Sequence, residues 1–227
     1  MADAVSKEAL ALDPHLDLVH AMAERVKAEG WTLRAVIDTH THADHPSGSG
    51  ELASRFGCVR MAHPNARHAG VSVHPKDGDA IALGSLKIAV RHALGHTPDH
   101  LVLIADGALF SGDSLFIKSV ARTDFLGGDA GQLFDSIHTL TDGLPGETVV
   151  FPGHDYEGRI ESTLAQERSD NPWLRLADRA AFVKSLTANP PPKPANMDDL
   201  LRLNRDGVDI PASVPAAEAV RLVAAGG

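Results

Sequence analysis

The chain has 227 residues, 43% of them hydrophobic and only 4% aromatic, and it carries a formal charge of −9. That size and apolar share suit a single domain over residues 1–227, with a core filled mainly by Val, Leu, Ile and Ala. The acidic balance argues against a nucleic-acid partner, which is held by Lys and Arg on phosphates. No run approaches the about 18 apolar residues of a membrane span, and no targeting pattern opens the chain, so a soluble cytoplasmic protein is expected.

Glu8–Leu12 alternates weakly and predicts a short strand. Asp13-Pro14 then predicts a helix start, with Asp13 as N-cap and Pro14 at the first helical position. Leu16, Val19, Met22 and Val26 recur at helical spacing, and Gly30 ends that helix. Ala35–Ile37 predicts a buried strand running into a histidine-rich loop, followed by a helix near Glu51–Phe56 and a strand at Cys58–Ala62. Two hairpins are expected, Ala80–Leu83 with Leu86–Val90 and Leu101–Ile104 with Ala108–Phe110, the second turning on Asp106-Gly107. Asp129–Leu140 predicts a helix and Thr148–Phe151 a strand, with further helices around Arg159–Arg168 and Pro172–Leu186. The prolines in Asn189–Pro194 require an extended segment. The Ala-rich end predicts a short helix or a frayed tail. Cys58 is the one cysteine, which excludes an internal disulfide; its apolar neighbours predict a buried structural thiol.

Four polar clusters each follow a strand-like segment: His40-x-His42-x-Asp44-His45, Gly95-His96-Thr97-Pro98, Ser111-Gly112-Asp113 and Pro152-Gly153-His154. Strand ends hold side chains rigidly, while the loops beyond them leave those side chains able to converge. Histidine and aspartate suit zinc, iron or manganese, and the lack of thiolates argues against a cysteine site. A lone His96, His154 or Asp113 would be unremarkable. Three histidines and an aspartate within six residues point to metal binding. His15, His20 and His138 on predicted helices, and His63, His68, His74 and His92 near strands or loops, have no ligand spacing and are read as packed or solvated.

These clusters, in this order, resemble the metallo-β-lactamase superfamily from about Glu8 to the proline-rich segment. The resemblance implies an α/β fold, an αββα sandwich of two mixed β-sheets flanked by helices. In the superfamily's two-metal members, one metal takes the equivalents of His40, His42, His96 and Asp113. The other takes those of Asp44, His45, His154 and the shared Asp113. Within the superfamily, Ala121-Arg122-Thr123-Asp124-Phe125, Pro152-Gly153-His154-Asp155-Tyr156, Glu167-Arg168-x-x-Asn171-Pro172 and the Pro192-Lys193-Pro194 segment leading to Met197-Asp198 are similar to the persulfide dioxygenases. That resemblance implies an oxidoreductase with one Fe(II) per chain on His40, His96 and Asp113, a facial triad that leaves positions open for O2 and a substrate sulfur. His42, Asp44, His45 and His154 then become the surrounding shell, or ligands of a second metal. The implied reaction turns glutathione persulfide, or a related small thiol persulfide, with O2 and water into glutathione and sulfite.

Arg122 and Tyr156 are candidates for the glutathione end. The alternatives are an internal ion pair of Arg122 with Asp124 and a core position for Tyr156. Asp155 is read as a structural or supporting carboxylate. Asp99 and His100 stand where that family places small residues, and His100 either faces the cleft or points into solvent. Only seven residues precede Glu8, fewer than in that family; an unpaired sheet edge would favour a homodimer or higher homo-oligomer. The nearest rival is a glyoxalase II-like hydrolase of glutathione thioesters using two zinc ions. Arg122–Phe125 and the short tail argue against it. A non-catalytic metal-binding protein is a third reading.

Overall fold

The structure is a computed structural model that describes residues 1–125, 127–156, 158–194 and 196–206. The Ala-rich end lies outside the described residues. The chain divides into two compact units, Met1–Pro75 with Ala82–Lys87 and the residues from Lys193 onward, and Lys76–Ile81 with Ile88–Pro192.

The first unit is organised by a four-stranded sheet in the order β1 (Ala2–Asp3), β2 (Glu8–Leu12), β3 (Thr32–Ile37), β4 (Val59–Met61). The β1–β2 pair is antiparallel, while β2–β3 and β3–β4 are parallel. The edge of β2 that the sequence left open is therefore paired, Ala2 opposite Ala9. Parallel neighbours need crossovers, which helices provide: α1 (Val19–Ala28) joins β2 to β3, and α2 (Ser49–Phe56) joins β3 to β4. Val19, Ala23 and Val26 of α1 pack with Leu52 and Ala53 of α2 and with Ala9, Ala11, Leu33 and Val36 of the strands. This cluster holds no buried aromatic side chain, as the composition predicts. Cys58 is half-buried against it, and burial pushes its thiol pKa up.

One helix start differs from expectation. Asp13 has a positive φ of 45° and is not an N-cap. Its carboxylate serves the next loop instead, so a 3-10 turn, Leu16–Leu18, is capped by His15, and α1 begins only at Val19.

A six-stranded sheet takes in β5 (Ala80–Leu83), β6 (Leu86–His92), β7 (Leu101–Ala105) and β8 (Ala108–Gly112), and in the second unit β9 (Leu115–Phe116) and β10 (Ser119–Val120) make a small hairpin. β11 (Val149–Pro152) runs parallel to β8 after helix α3 (Ala130–Asp142), and β12 (Ser162–Thr163) closes the order β12-β11-β8-β7-β6-β5. β7 lies inside the sheet and is buried at four of five positions. The β7–β8 turn places Asp106 and Gly107 at φ 48° and 74°, the double positive pair that an Asp-Gly hairpin turn requires. Leu133 and Ile137 of α3, Val102, Leu109, Val150 and Phe182 form a buried cluster, with Phe134 and Trp173 packed on it.

Two helices are displaced from their predicted places. Around Arg159–Arg168 only α4 (Leu164–Asp170) is helical, opened by a Thr163–Gln166 capping box. Pro172–Leu186 contributes α5 (Arg179–Ala188), capped by Asp178. A residue preceding proline avoids the helical region. Asn171 is accordingly extended, and its side chain receives Trp173 N–H at 3.0 Å in a turn. The last described element is α6 (Met197–Asp206), which belongs to the first unit. No described helix is long and apolar enough to cross a membrane.

Candidate metal centre

In the first unit the loop leaving β3 carries His40, His42, Asp44 and His45. Backbone atoms here have no ladder partners, so side chains hold the loop. The Asp13 carboxylate accepts from Thr39 N–H at 2.6 Å and from the Thr39 hydroxyl at 2.7 Å, and it contacts His42 Nε2 at 3.1 Å. Asp38, fully buried, accepts from the Ser47 hydroxyl at 2.7 Å and from Ser49, and lies 3.4 Å from Arg60 and 3.5 Å from His68. Burial opposes ionisation of Asp38, but His68, His42 and Arg60 outweigh it and hold its carboxyl below the usual range.

His40 and His42 are buried with ring centroids 4.3 Å apart, His45 is half-buried and Asp44 is exposed. Two groups of donor atoms lie within 4.8 Å of one another here: Asp13 with His40 and His42, and His42 with Asp44 and His45. Burial lowers the pKa of His42, but Asp13, then Asp38 and Asp44, more than compensate and raise it to about 10. Burial and the neighbouring His42 push His45 down instead. So dense a set of acids facing imidazoles is the charge pattern of a cation site. Asp13 is the loop-bracing carboxylate that the sequence does not single out, because Asp-Pro after a strand reads equally well as a helix start. Its position at a strand end, like that of the four clusters, was the available signal.

In the second unit His96, Asp113 and His154 come from three separate loops. The His96 Nδ1 contacts the Arg122 carbonyl at 2.9 Å. Only a protonated Nδ1 can donate to a carbonyl, so Nε2 keeps its lone pair for a metal. That Nε2 is 3.8 Å from Asp113 Oδ2, and His154 Nε2 lies 3.3 Å from the same oxygen. Burial disfavours the Asp113 carboxylate, but contact with His154 and the nearby His96 and His100 hold its pKa down at about 2.

His100 does not point into solvent: it is fully buried, and its Nε2 accepts the Asp113 backbone N–H at 2.8 Å. It thus sets the turn that presents the carboxylate. Two glycines make room. At Gly95, with φ 127°, a Cβ would collide with the Leu133 backbone; at Gly153 it would collide with Asp113 Oδ1.

Supports from remote sequence complete this half. The Arg122 guanidinium forms the internal ion pair, with Nε and Nη2 donating to Asp124 at 2.7 and 2.8 Å. It also donates to the Pro191 and Pro192 carbonyls, both at 2.9 Å, and so ties down the extended proline segment. Phe125 packs edge-on against His96 at 5.0 Å, and Arg122 sits 5.2 Å over the Phe125 ring. Glu167, buried, accepts from Lys118 N–H at 2.8 Å, Ser162 at 2.6 Å and Asn171 at 3.0 Å. Asn171 also donates to the Phe116 and Ser119 carbonyls. Together they fix the β9–β10 hairpin, whose Phe116 meets the edges of His154 and Tyr156 at 5.8 and 5.9 Å. Tyr156 is not a core residue; it is 75% exposed. Asp155 accepts from the Arg159 backbone, a structural role.

The donors in both units are imidazole nitrogens and carboxylate oxygens, a set that fits a divalent iron, zinc or manganese ion.

Comparison with known proteins agrees with this chemistry. Residues 3–154 match the model of the metallo-beta-lactamase superfamily. Persulfide dioxygenase ETHE1, mitochondrial, of Homo sapiens is 35% identical over 94% of this chain and 85% of its own length. Hydroxyacylglutathione hydrolase of Polaromonas sp. is 37% identical over 83% of this chain and 71% of its own. The crystal structure of ETHE1 from Myxococcus xanthus superposes with a TM-score of 0.87 at 34% identity, covering 90% of this chain and 91% of that one. The mixed sheets and flanking helices are those of the metallo-β-lactamase fold. The chain belongs to the metallo-β-lactamase superfamily, with ETHE1 persulfide dioxygenases among its homologues.

Proposed function

We propose that this protein is a persulfide dioxygenase that converts glutathione persulfide, O2 and water to glutathione and sulfite at a single Fe(II). One observation carries the reading most: the Arg122–Phe125 segment, which sets the dioxygenase pattern apart, is the segment that holds His96 by its backbone and covers it with Phe125. Homology to persulfide dioxygenases over nearly the whole chain supports it.

In this reading His40, His96 and Asp113 hold the iron, as the family pattern assigns. Bound there, iron supplies open positions for O2 and the persulfide sulfur. The chain's own residues prepare that chemistry. Arg122 O fixes the His96 tautomer. His154 keeps Asp113 ionised, and His100 orients its backbone. Phe125 and Phe116 provide apolar cover beside His96 and His154. Of the two glutathione candidates, Tyr156 presents an exposed ring and takes direct contact, whereas the Arg122 guanidinium is committed within the chain and acts by positioning.

The decisive experiment is anaerobic purification, metal analysis and O2 uptake with glutathione persulfide. About one iron per chain with persulfide-dependent uptake and sulfite release is expected. Two zinc ions, no uptake and cleavage of S-lactoylglutathione would establish instead the two-metal hydrolase, the reading favoured by the His42-Asp44-His45 group and the hydroxyacylglutathione hydrolase relatives.

A further inference from the structure

Asn204 lies on α6, about 160 positions beyond the histidine loop in sequence. Its side chain is buried, 5% exposed, beside Met197, Leu200 and Leu203 on the apolar face of that helix. Its amide nitrogen donates to the His42 carbonyl at 2.8 Å and to the His45 carbonyl at 2.9 Å. Its amide oxygen accepts the Ser47 N–H at 2.8 Å. Two acceptors and one donor face the group, and a primary amide in this orientation satisfies all three. An unmet buried carbonyl or N–H is costly, and residues 39–46 make no helix or strand that would pair these groups. Asp13 and Asp38 grip the beginning of the loop and Ser47; between them, the backbone of the donor-bearing stretch itself is held by Asn204.

We infer that Asn204 is a positioning residue for the metal centre: through it, α6 sets the backbone of the loop that carries His40 and, around it, His42, Asp44 and His45, and the ordering of α6 and metal binding favour each other. The inference rests on the functional reading only insofar as that reading places a metal on this loop. Coupling of this kind is reciprocal, so it has two independent readouts, neither of which requires turnover.

The first is titration of the metal-free protein with Co(II), followed by its d–d absorption, in the wild type, Asn204→Ala and Asn204→Asp. Asp has nearly the same shape as Asn and still accepts from Ser47, but it sets an acceptor against two carbonyls. Both variants are expected to lose about tenfold or more in affinity, the scale seen for outer partners of metal ligands, with an altered spectrum. An Asn204→Asp protein with wild-type affinity and spectrum would overturn the inference, since Asn204 would then be packing alone. The second is hydrogen exchange of α6 amides in the wild-type protein with and without Co(II). Slower exchange on metal addition is expected, and unchanged exchange would overturn the inference. This measurement needs no variant, so it decides even where Asn204→Ala fails to fold. Should Co(II) behave as expected while iron-loaded protein consumes no O2 with persulfide, the dioxygenase reading fails and this inference stands.

Discussion

The two units present their ligand-type side chains in opposite ways. In the first, His40, His42, Asp44 and His45 lie on one loop of six residues, braced by Asp13, Asp38 and Asn204. In the second, His96, Asp113 and His154 come from three loops, and each depends on a different distant support: the Arg122 carbonyl, His100, and Phe116 with the Glu167–Asn171 pair beneath it. A contiguous loop gains proximity from the chain itself and needs its backbone polar groups satisfied. A dispersed set has to fix each side chain separately, so the polypeptide spends more residues on positioning than on donors.

The sharpest break of that contrast is removal of the carboxylate that the proposed reading makes an iron ligand. Asp113→Ala is expected to abolish persulfide-dependent O2 uptake and most bound iron, a loss beyond the about 10- to 100-fold typical of supporting residues. Metal analysis and an oxygen electrode read both, and a variant with full iron and activity would remove Asp113 from the ligand set.

Arg122 tests the dispersed half at its support. Arg122→Ala should cut activity about 10- to 100-fold while leaving the fold intact, because it frees the Asp124, Pro191 and Pro192 contacts that hold the carbonyl bound to His96. Arg122→Lys should rescue little, since an ammonium cannot form the two-pronged contact. Equal activity in all three proteins would mean that His96 needs no such support.

The cores extend the comparison to stability. Phe182→Ala removes the more deeply buried of two core phenylalanines of the second unit and should cost about 3–5 kcal/mol, and Leu52→Ala in the aliphatic core of the first about 2–5 kcal/mol. Denaturant titration of each variant checks both, and near-equal losses would show that the aromatic gives the second unit no extra margin.

The smallest effect concerns pH. The Asp3 carboxylate accepts from Ser85 N–H and Ser6, both at 2.8 Å, and from Val5 N–H at 3.1 Å. The backbone bond from Ser85, then those from Ser6 and Val5, holds its pKa below the usual carboxylate range. A carboxyl depressed in the folded state adds stability above its unfolded pKa, about 3.9, and loses it as pH falls through the folded value. Asp3→Asn should therefore be less stable than wild type at neutral pH, with the gap closing on acidification. A gap independent of pH in thermal melts would refute that origin.

Much of this was legible locally. Strand β2 over Glu8–Leu12, the Asp106-Gly107 hairpin and a helix over about Asp129–Leu140 follow from short-range rules, and the structure has them there, α3 running Ala130–Asp142. The histidine loop also announced itself, because its donors are neighbours in sequence. Asp13 is ambiguous in sequence because Asp-Pro is an equally good helix start, and only its tertiary partners Thr39 and His42 choose between the two. The helices near Arg159–Leu186 shifted because Asn171 and Pro172 spend their local preferences on a turn.

By itself, then, the sequence determined the donor types, their order after strands, the acidic charge and the family pattern, since each is a property of nearby residues. Only tertiary structure decided which side chains support those donors. Arg122 holding prolines about seventy positions away, His100 turning inward to Asp113, and Asn204 returning to the His42–Ser47 backbone are each a hydrogen bond between distant segments. Such a bond leaves no periodicity or spacing to read; it exists only once burial has made an unmet donor or acceptor costly.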